Sequence, residues 1–360
     1  MSEAPTVTEL LSTAVAALGG QERAGQVQMA AEVADSMESG RHLLVQAGTG
    51  TGKSLAYLVP SLLHKDRVVV ATATLALQHQ LVERDLPRLV EAVKDSGVDT
   101  SYAVLKGRSN YACLHRVREG VPDDQGALEV ELPTGTLGKK ILELREWVEE
   151  QAEDKGSGER DNAPRHTDKE WRQVSVNHRE CLGAAKCPFG QECFAERARE
   201  KAHRSHLIVT NHSLLAIDAI EGVPMIPDYD AVVIDEAHEL TARVTQAATD
   251  ELAVNDIERA SRRSQRWVED ESADALGEAA DALAEAIEAT TPGRIEGLSD
   301  QLGEALTLVR DAARKCLSAF PKEAPGGDGG DAGRTQAKGM VQDVFVNAER
   351  MAANLESDVL

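Results

Sequence analysis

Between residues 42 and 235, short apolar runs alternate with longer stretches in which apolar positions recur every three or four residues. The runs are HLLVQA (42–47), RVVVATAT (67–74), SYAVL (101–105), HLIVT (206–210) and YDAVVID (229–235). The first leads into SLAYLVPSLLH and the second into LALQHQLVERDLPRLVEAV, both of helical period. Strands without polar alternation are covered on both faces, and strands interleaved with helices build a parallel sheet. The pattern therefore predicts an α/β fold. Two long stretches break the rhythm. Residues 108–201 hold four of the five cysteines and the polar stretch EDKGSGERDNAPRHTDKE, which reads as loop or disorder. From Glu239 to Leu360 the periodicity is helical and rich in Ala and Leu, as in ADALGEAADALAEAIEA and QLGEALTLVRDAARKCLSAF, with PKEAPGGDGGDAGR (321–334) as a flexible loop.

Composition narrows the picture. The 360 residues suffice for two or three domains at roughly 100–200 residues each. Aromatics are only 3%, so Ala, Val and Leu must build the core. No apolar run is long enough to span a bilayer, which needs about 18 residues or more. The start, MSEAPTVTEL, lacks the basic-then-apolar order of a signal peptide. A cytoplasmic protein without membrane association is expected, its five cysteines serving as reduced thiols, metal ligands or core residues.

The net charge of −22 speaks against a polyanionic partner for the chain as a whole. It is uneven: from Glu239 onward 24 Asp and Glu face 13 Lys and Arg, a net −11 and half the total. Lys186, Arg197, Arg199, Lys201 and Arg204 crowd together beside the cysteines. That patch could meet phosphates, and a solvated helix face explains it equally well.

AGTGTGKS (47–54) follows a predicted strand and opens a predicted helix, the setting of a phosphate-cradling loop. Gly48, Thr49, Gly50, Thr51 and Gly52 would let backbone N–H groups approach phosphate oxygens at a helix N-terminus. Lys53 would reach the β- and γ-phosphates, and the Ser54 hydroxyl would ligate Mg²⁺. Ala47 stands where the general pattern has Gly. Downstream, AVVID runs into DEAH (235–238). A carboxylate at the carboxyl end of a strand is placed to hold Mg²⁺, so Asp235 takes the metal role and Glu236 that of general base, with His238 closing the catalytic string. TATLALQHQL (72–81) sets hydroxyls and amides at a strand-to-helix turn, where they can bind a sugar-phosphate backbone; a polar helix start is the bland alternative. Gln26, in RAGQVQM, could contact an adenine or belong to ordinary helix surface.

ECLGAAKCPFGQEC (180–193) spaces Cys181, Cys187 and Cys193 with five residues in each gap, and KGRSNYAC supplies a fourth thiol, Cys113. Four thiolates can hold zinc or a [4Fe–4S] cluster. The wide gaps and remote first ligand fit a cuboidal cluster better than a zinc ribbon. Cys316 has the setting of a core residue.

Taken in order, AGTGTGKS, TATLALQHQL, KGRSNYAC, ECLGAAKCPFGQEC, VTNHSLL (209–215) and VVIDEAH resemble the iron–sulfur superfamily 2 DNA helicases of the bacterial DinG branch, relatives of XPD, from about Arg23 to His238. The resemblance implies a RecA-like P-loop NTPase sheet, with ATP and Mg²⁺ as ligands, a [4Fe–4S] insertion and a helical Arch. It divides the chain into motor domain (1–107), cluster insertion (108–201), motor domain with the DEAH box (202–240) and incomplete Arch (241–360). The implied activity is ATP-driven 5′→3′ unwinding of single-stranded and forked DNA by a monomer. The family's second motor domain does not follow the Arch before Leu360, so an N-terminal part of a longer helicase is expected. Two alternatives stand: a nucleotide- and single-stranded-DNA-binding module that does not cycle, and an RNA helicase.

Overall fold

The computed structural model describes residues 5–48, 50–119, 136–178, 180–221, 224–295, 297–321 and 332–354. It divides into two compact units, one of residues 1–107 and 195–249, the other of 108–194 and 250–360. Among the described residues no helix is long and apolar enough to cross a membrane.

The first unit is built on a parallel sheet of four strands, β1 (Val68–Thr72), β2 (Tyr102–Val104), β3 (Leu207–Asn211) and β4 (Ala231–Ile234), in the order β2-β3-β1-β4. β1 and β3 lie inside. Every residue of β1 is buried, as its unbroken VVVAT requires of a strand covered on both faces. The helices, in chain order, are α1 (Val7–Ala17), α2 (Ala24–Ser39), α3 (Lys53–Leu63), α4 (Leu75–Gln80), α5 (Leu86–Val93), α6 (Phe194–His203), α7 (His212–Glu221) and α8 (Leu240–Ala248). Thr6 and Glu9 cap α1 reciprocally. α4 and α5 are joined by a π-helical turn, Leu81–Asp85. The wider turn accommodates Pro87, which has no N–H to donate and whose ring would crowd a regular helix. One buried cluster unites Leu10, Leu11, Tyr57, Leu58, Leu62, Val68, Val70, Leu86, Leu89, Leu207 and Val209.

Four of the five predicted strands form, and HLLVQA does not. Residues 41–48 run without regular structure, and Leu44 is 96% exposed. An extended segment gains ladder hydrogen bonds only where a sheet edge receives it. The apolar run signals a demand for burial and carries no information about which edge meets it.

In the second unit four helices, Val254–Ser264, Asp270–Glu288, Asp300–Ala319 and Ala332–Asn354, share one core. Ala273, Leu276, Ala279, Ala280, Leu283 and Ala286 form the buried stripe of the second helix, at the three- and four-residue spacing of one helical face. Cys316 is fully buried in the same core. Of the predicted loop 321–334, residues 322–331 lie outside the described residues and 332–334 already belong to the last helix. The stretch 153–170, read as loop or disorder, is a shaped loop. Glu159 bridges to Tyr111, Arg160–Asn162 form a 3₁₀ turn, and Thr167 with Glu170 makes a capping box.

Candidate functional site

The phosphate-loop sequence leads directly into α3. Gly50 and Gly52 have φ of 76° and 85°, the left-handed region open to glycine at little cost. The Thr51 hydroxyl donates to the Gly48 carbonyl at 2.8 Å and closes the turn. Thr49 lies outside the described residues. Gln26, 5% exposed, donates from Nε2 to the Gly52 carbonyl at 3.0 Å. A Cβ on residue 52 would lie 2.2 Å from that nitrogen. Gln26 thus braces the loop itself.

Lys53 and Tyr57 stand one turn apart on α3, on one face. Both meet the residues that end β4. Lys53 Nζ lies 2.6 Å from Glu236 Oε1, with 25% and 33% of the side chains exposed. This hydrogen bond holds the Glu236 carboxyl below its ordinary range and the Lys53 ammonium above its own. The Tyr57 hydroxyl donates to Asp235 Oδ2 at 3.1 Å and also reaches Ser54. Burial, first, and the Asp235 charge push Tyr57 well above the ordinary phenol range, so it stays a donor. The other carboxylate oxygen of Asp235 accepts from the Glu236 amide at 3.1 Å.

Glu236 itself sits at φ 53°, ψ 47°. For a residue with a Cβ that conformation costs about 1–2 kcal/mol, so its ion pair and the Asp235 carboxylate hold a turn the backbone alone would not choose. His238 is 71% exposed, with ring nitrogens 3.6 Å from Glu236 and Glu239 oxygens, beyond hydrogen-bonding range. Lys53, Ser54, Asp235 and Glu236 are therefore brought together, and His238 lies at the rim.

TATLALQHQL opens from β1, an interior strand. Thr74 caps α4 by accepting from Leu77 N at 3.2 Å. Gln78 is fully buried and donates to the carbonyls of Val209 and Leu105. The Thr72 hydroxyl donates to Thr74 O at 3.1 Å. These polar residues thus tie the turn to the sheet. In the basic segment Arg199 pairs with Glu196 and Arg204 with Glu200, one turn apart, while Lys201 lies over the Tyr102 ring. Tyr57 and His212, which contact Asp235, were not singled out from sequence. The available signals were a Tyr four residues after the loop lysine and a polar side chain ending an apolar strand.

Cys113, Cys181, Cys187 and Cys193 all belong to the second unit, half-buried and free of disulfides. Cys113 N donates to Val174 O at 2.7 Å, anchoring the start of the helix Leu114–Glu119. Arg116 spans from that helix to Arg172 O and to Glu180, beside Cys181. Gly183, at φ 78°, shapes the cysteine loop, and a Cβ on Gly190 would lie 2.2 Å from Ala184 O. Burial, reinforced by the charges of Cys181, Cys193 and Cys187, pushes the Cys113 thiol up to about 11. Burial likewise raises Cys187. Main-chain N–H groups of Arg116, Gly183 and Phe189 reach the sulfurs of Cys113, Cys181 and Cys187. Such bonds favour thiolate ligands. Among the described residues no three His, Cys, Asp or Glu converge on a point that would hold a single ion. Tetrahedral zinc at about 2.3 Å from each sulfur would need them about 3.8 Å apart. The four thiols are near enough to repel one another when charged.

Residues 26–120 match the DEAD/DEAH box helicase family. The chain is 46% identical over 310 residues to the ATP-dependent helicase DinG of Mycobacterium tuberculosis, covering 82% of this chain and 46% of that protein. It is 38% identical over 226 residues to the ATP-dependent DNA helicase YoaA of Escherichia coli, covering 62% of this chain and 34% of that one. The chain thus spans less than half the length of either relative. A solved XPD helicase overlays with a TM-score of 0.47 at 16% identity, over 92% of this chain and 51% of the other.

Proposed function

We propose that this chain, which carries a DEAD/DEAH box helicase domain and is DinG-like in sequence, binds ATP with Mg²⁺ and supplies the nucleotide-hydrolysing site of a helicase that moves 5′→3′ along single-stranded DNA and opens forks. The observation that carries the reading is the 2.6 Å contact of Lys53 with Glu236 beside the Asp235–Tyr57–Ser54 group. A lysine from the phosphate loop and the two carboxylates that follow β4 lie side by side. Ser54 and Asp235 would hold Mg²⁺. Lys53 would leave Glu236 for the triphosphate, and the freed carboxylate, ionised at neutral pH as a glutamate ordinarily is, would orient the attacking water. The glycines and Gln26 keep the loop open to the phosphates.

Cys113, Cys181, Cys187 and Cys193 would hold a [4Fe–4S] cluster. The N–H bonds to three of the sulfurs, the mutual proximity of the four thiols and the wide five-residue gaps in the sequence support this reading. Held by these four residues, the cluster would tie the Cys113 segment to the 181–193 loop. Within the segment 72–81 the exposed Thr74, His79 and Gln80, together with the basic residues of α6, are the proposed contacts with the DNA backbone.

Anaerobically purified protein tests both parts. Iron and sulfide near four of each per chain, together with saturable, Mg²⁺-strengthened ATP binding, are expected. Stoichiometric zinc without sulfide would end the cluster reading. Binding of nucleotide and single-stranded DNA without DNA-stimulated phosphate release by the full-length protein would end the helicase reading in favour of a non-cycling binding module, and a preference for RNA would move the substrate class.

A further inference from the structure

β3 passes into α7 without a turn, so His212 opens a helix at the carboxyl end of an interior strand. Its imidazole is fully buried. Nε2 lies 2.9 Å from the main-chain oxygen of Asp235, and since a carbonyl only accepts, the ring donates from Nε2. On the other side of the same residue, Asp235 N donates to Ala71 O of β1 at 2.9 Å. The Asp235 main chain is thereby held at both ends. The oxygen that His212 holds belongs to the peptide linking Asp235 to Glu236, immediately before the left-handed residue.

Two further observations bear on the ring's state. Nδ1 is buried without a hydrogen-bond partner, and so is Nε of Arg243, from α8. Burial lowers the pKa of His212, opposed first by the Asp235 and then by the Ala71 carbonyl; the Arg243 charge adds a smaller lowering and the Asp235 charge a smaller raising. A neutral ring with its hydrogen on Nε2 is the state that serves Asp235. A side chain kept only to fill space would have no need of that donor, and burying Nδ1 unpaired is a cost.

We propose that His212 is a positioning residue for the DEAH turn: by donating to the Asp235 carbonyl it orients the 235–236 peptide and so aims the Asp235 carboxylate. The inference rests on the reading that Asp235 carries the Mg²⁺. It acts on metal-assisted binding, while the phosphate loop, held by Gln26 and its own turn, is untouched.

The test measures the affinity of the 360-residue chain for a fluorescent ATP analogue in EDTA and in Mg²⁺. In His212→Phe the strengthening produced by Mg²⁺ should fall by about 3- to 10-fold, the range of one lost hydrogen bond. Affinity in EDTA should stay within about twofold. His212→Gln, whose amide can still donate, should recover most of the Mg²⁺ effect; His212→Asn, too short to reach, should not, and it replaces the Phe variant if that fails to fold. A full Mg²⁺ effect in both Phe and Asn variants would overturn the proposal, as would equal losses with and without Mg²⁺, which would mean a general disturbance. A wild-type chain that binds ATP with no Mg²⁺ effect would instead remove the Asp235 reading, and this inference with it.

Discussion

Replacing Glu236 by Gln should tighten the binding of metal-free ATP. Lys53 is engaged by Glu236 at 2.6 Å, and a triphosphate must take the ammonium away from it. An exposed ion pair contributes about 0.2–1 kcal/mol, and a hydrogen bond to a charged group about 1.5–3 kcal/mol. With 25% and 33% of the two side chains exposed, and with Gln able to keep a neutral hydrogen bond, the charge-dependent part is about 1 kcal/mol. At 1.36 kcal/mol per tenfold, that is about a fivefold gain in affinity. Removing a carboxylate beside the phosphates acts in the same direction. The assay is titration of a fluorescent ATP analogue in EDTA at low salt, wild type against variant. The pH dependence has a definite sign. Lys53 lowers the Glu236 pKa from 4.5, so the pair's contribution is present above that value and is lost only as pH falls through the lowered one. Lys53, raised from 10.5, stays charged throughout. The ratio of affinities should therefore be flat from about pH 6 to 8. Unchanged or weaker binding by the variant would refute the idea that this contact opposes nucleotide, and a ratio that changes across that window would mean another group controls it.

Lys53→Ala should reduce ATP affinity by at least about tenfold while leaving the melting temperature within a few degrees, because it removes a charge and no core contact; calorimetric titration and a thermal melt decide, and normal ATP affinity would remove the phosphate-loop assignment. Gly52→Ala should destabilise the chain by about 2–3 kcal/mol, from the positive φ and the lost Gln26 hydrogen bond. Combined with Gln26→Ala it should cost less than the sum of the two, since the 2.2 Å clash disappears; strict additivity in denaturant melts would show that the two residues do not touch. Cys187→Ser should lose most of the iron and the brown colour, whereas Cys316→Ser, in the helical core, should keep both; iron analysis of the anaerobic proteins reads the difference, and iron retained in Cys187→Ser would exclude that ligand.

What the sequence determined by itself are the features whose physics is local. VVVAT had to be a strand covered on both faces, the three- and four-residue spacing of Leu276, Ala279, Ala280 and Leu283 had to be a buried helical face, and glycines before Lys53 had to mark a left-handed turn at a helix start. The acidic pair after AVVI and the four cysteines could be singled out because particular residue types at particular spacings carry chemistry, and the roles given to them are proposals. Partners distant along the chain were not. That Gln26 would brace Gly52 rather than lie on a helix surface, that Tyr57 would hold Asp235, and that His212 would grip its carbonyl depend on which strands lie side by side in the order β2-β3-β1-β4. HLLVQA shows the same division from the other side: its apolar content asks for burial, and only the tertiary arrangement determines whether a sheet edge provides it. Periodicity acts over a few residues through backbone geometry, whereas hydrogen bonds such as Lys53 to Glu236, 183 positions apart, exist only after packing has brought the two ends together.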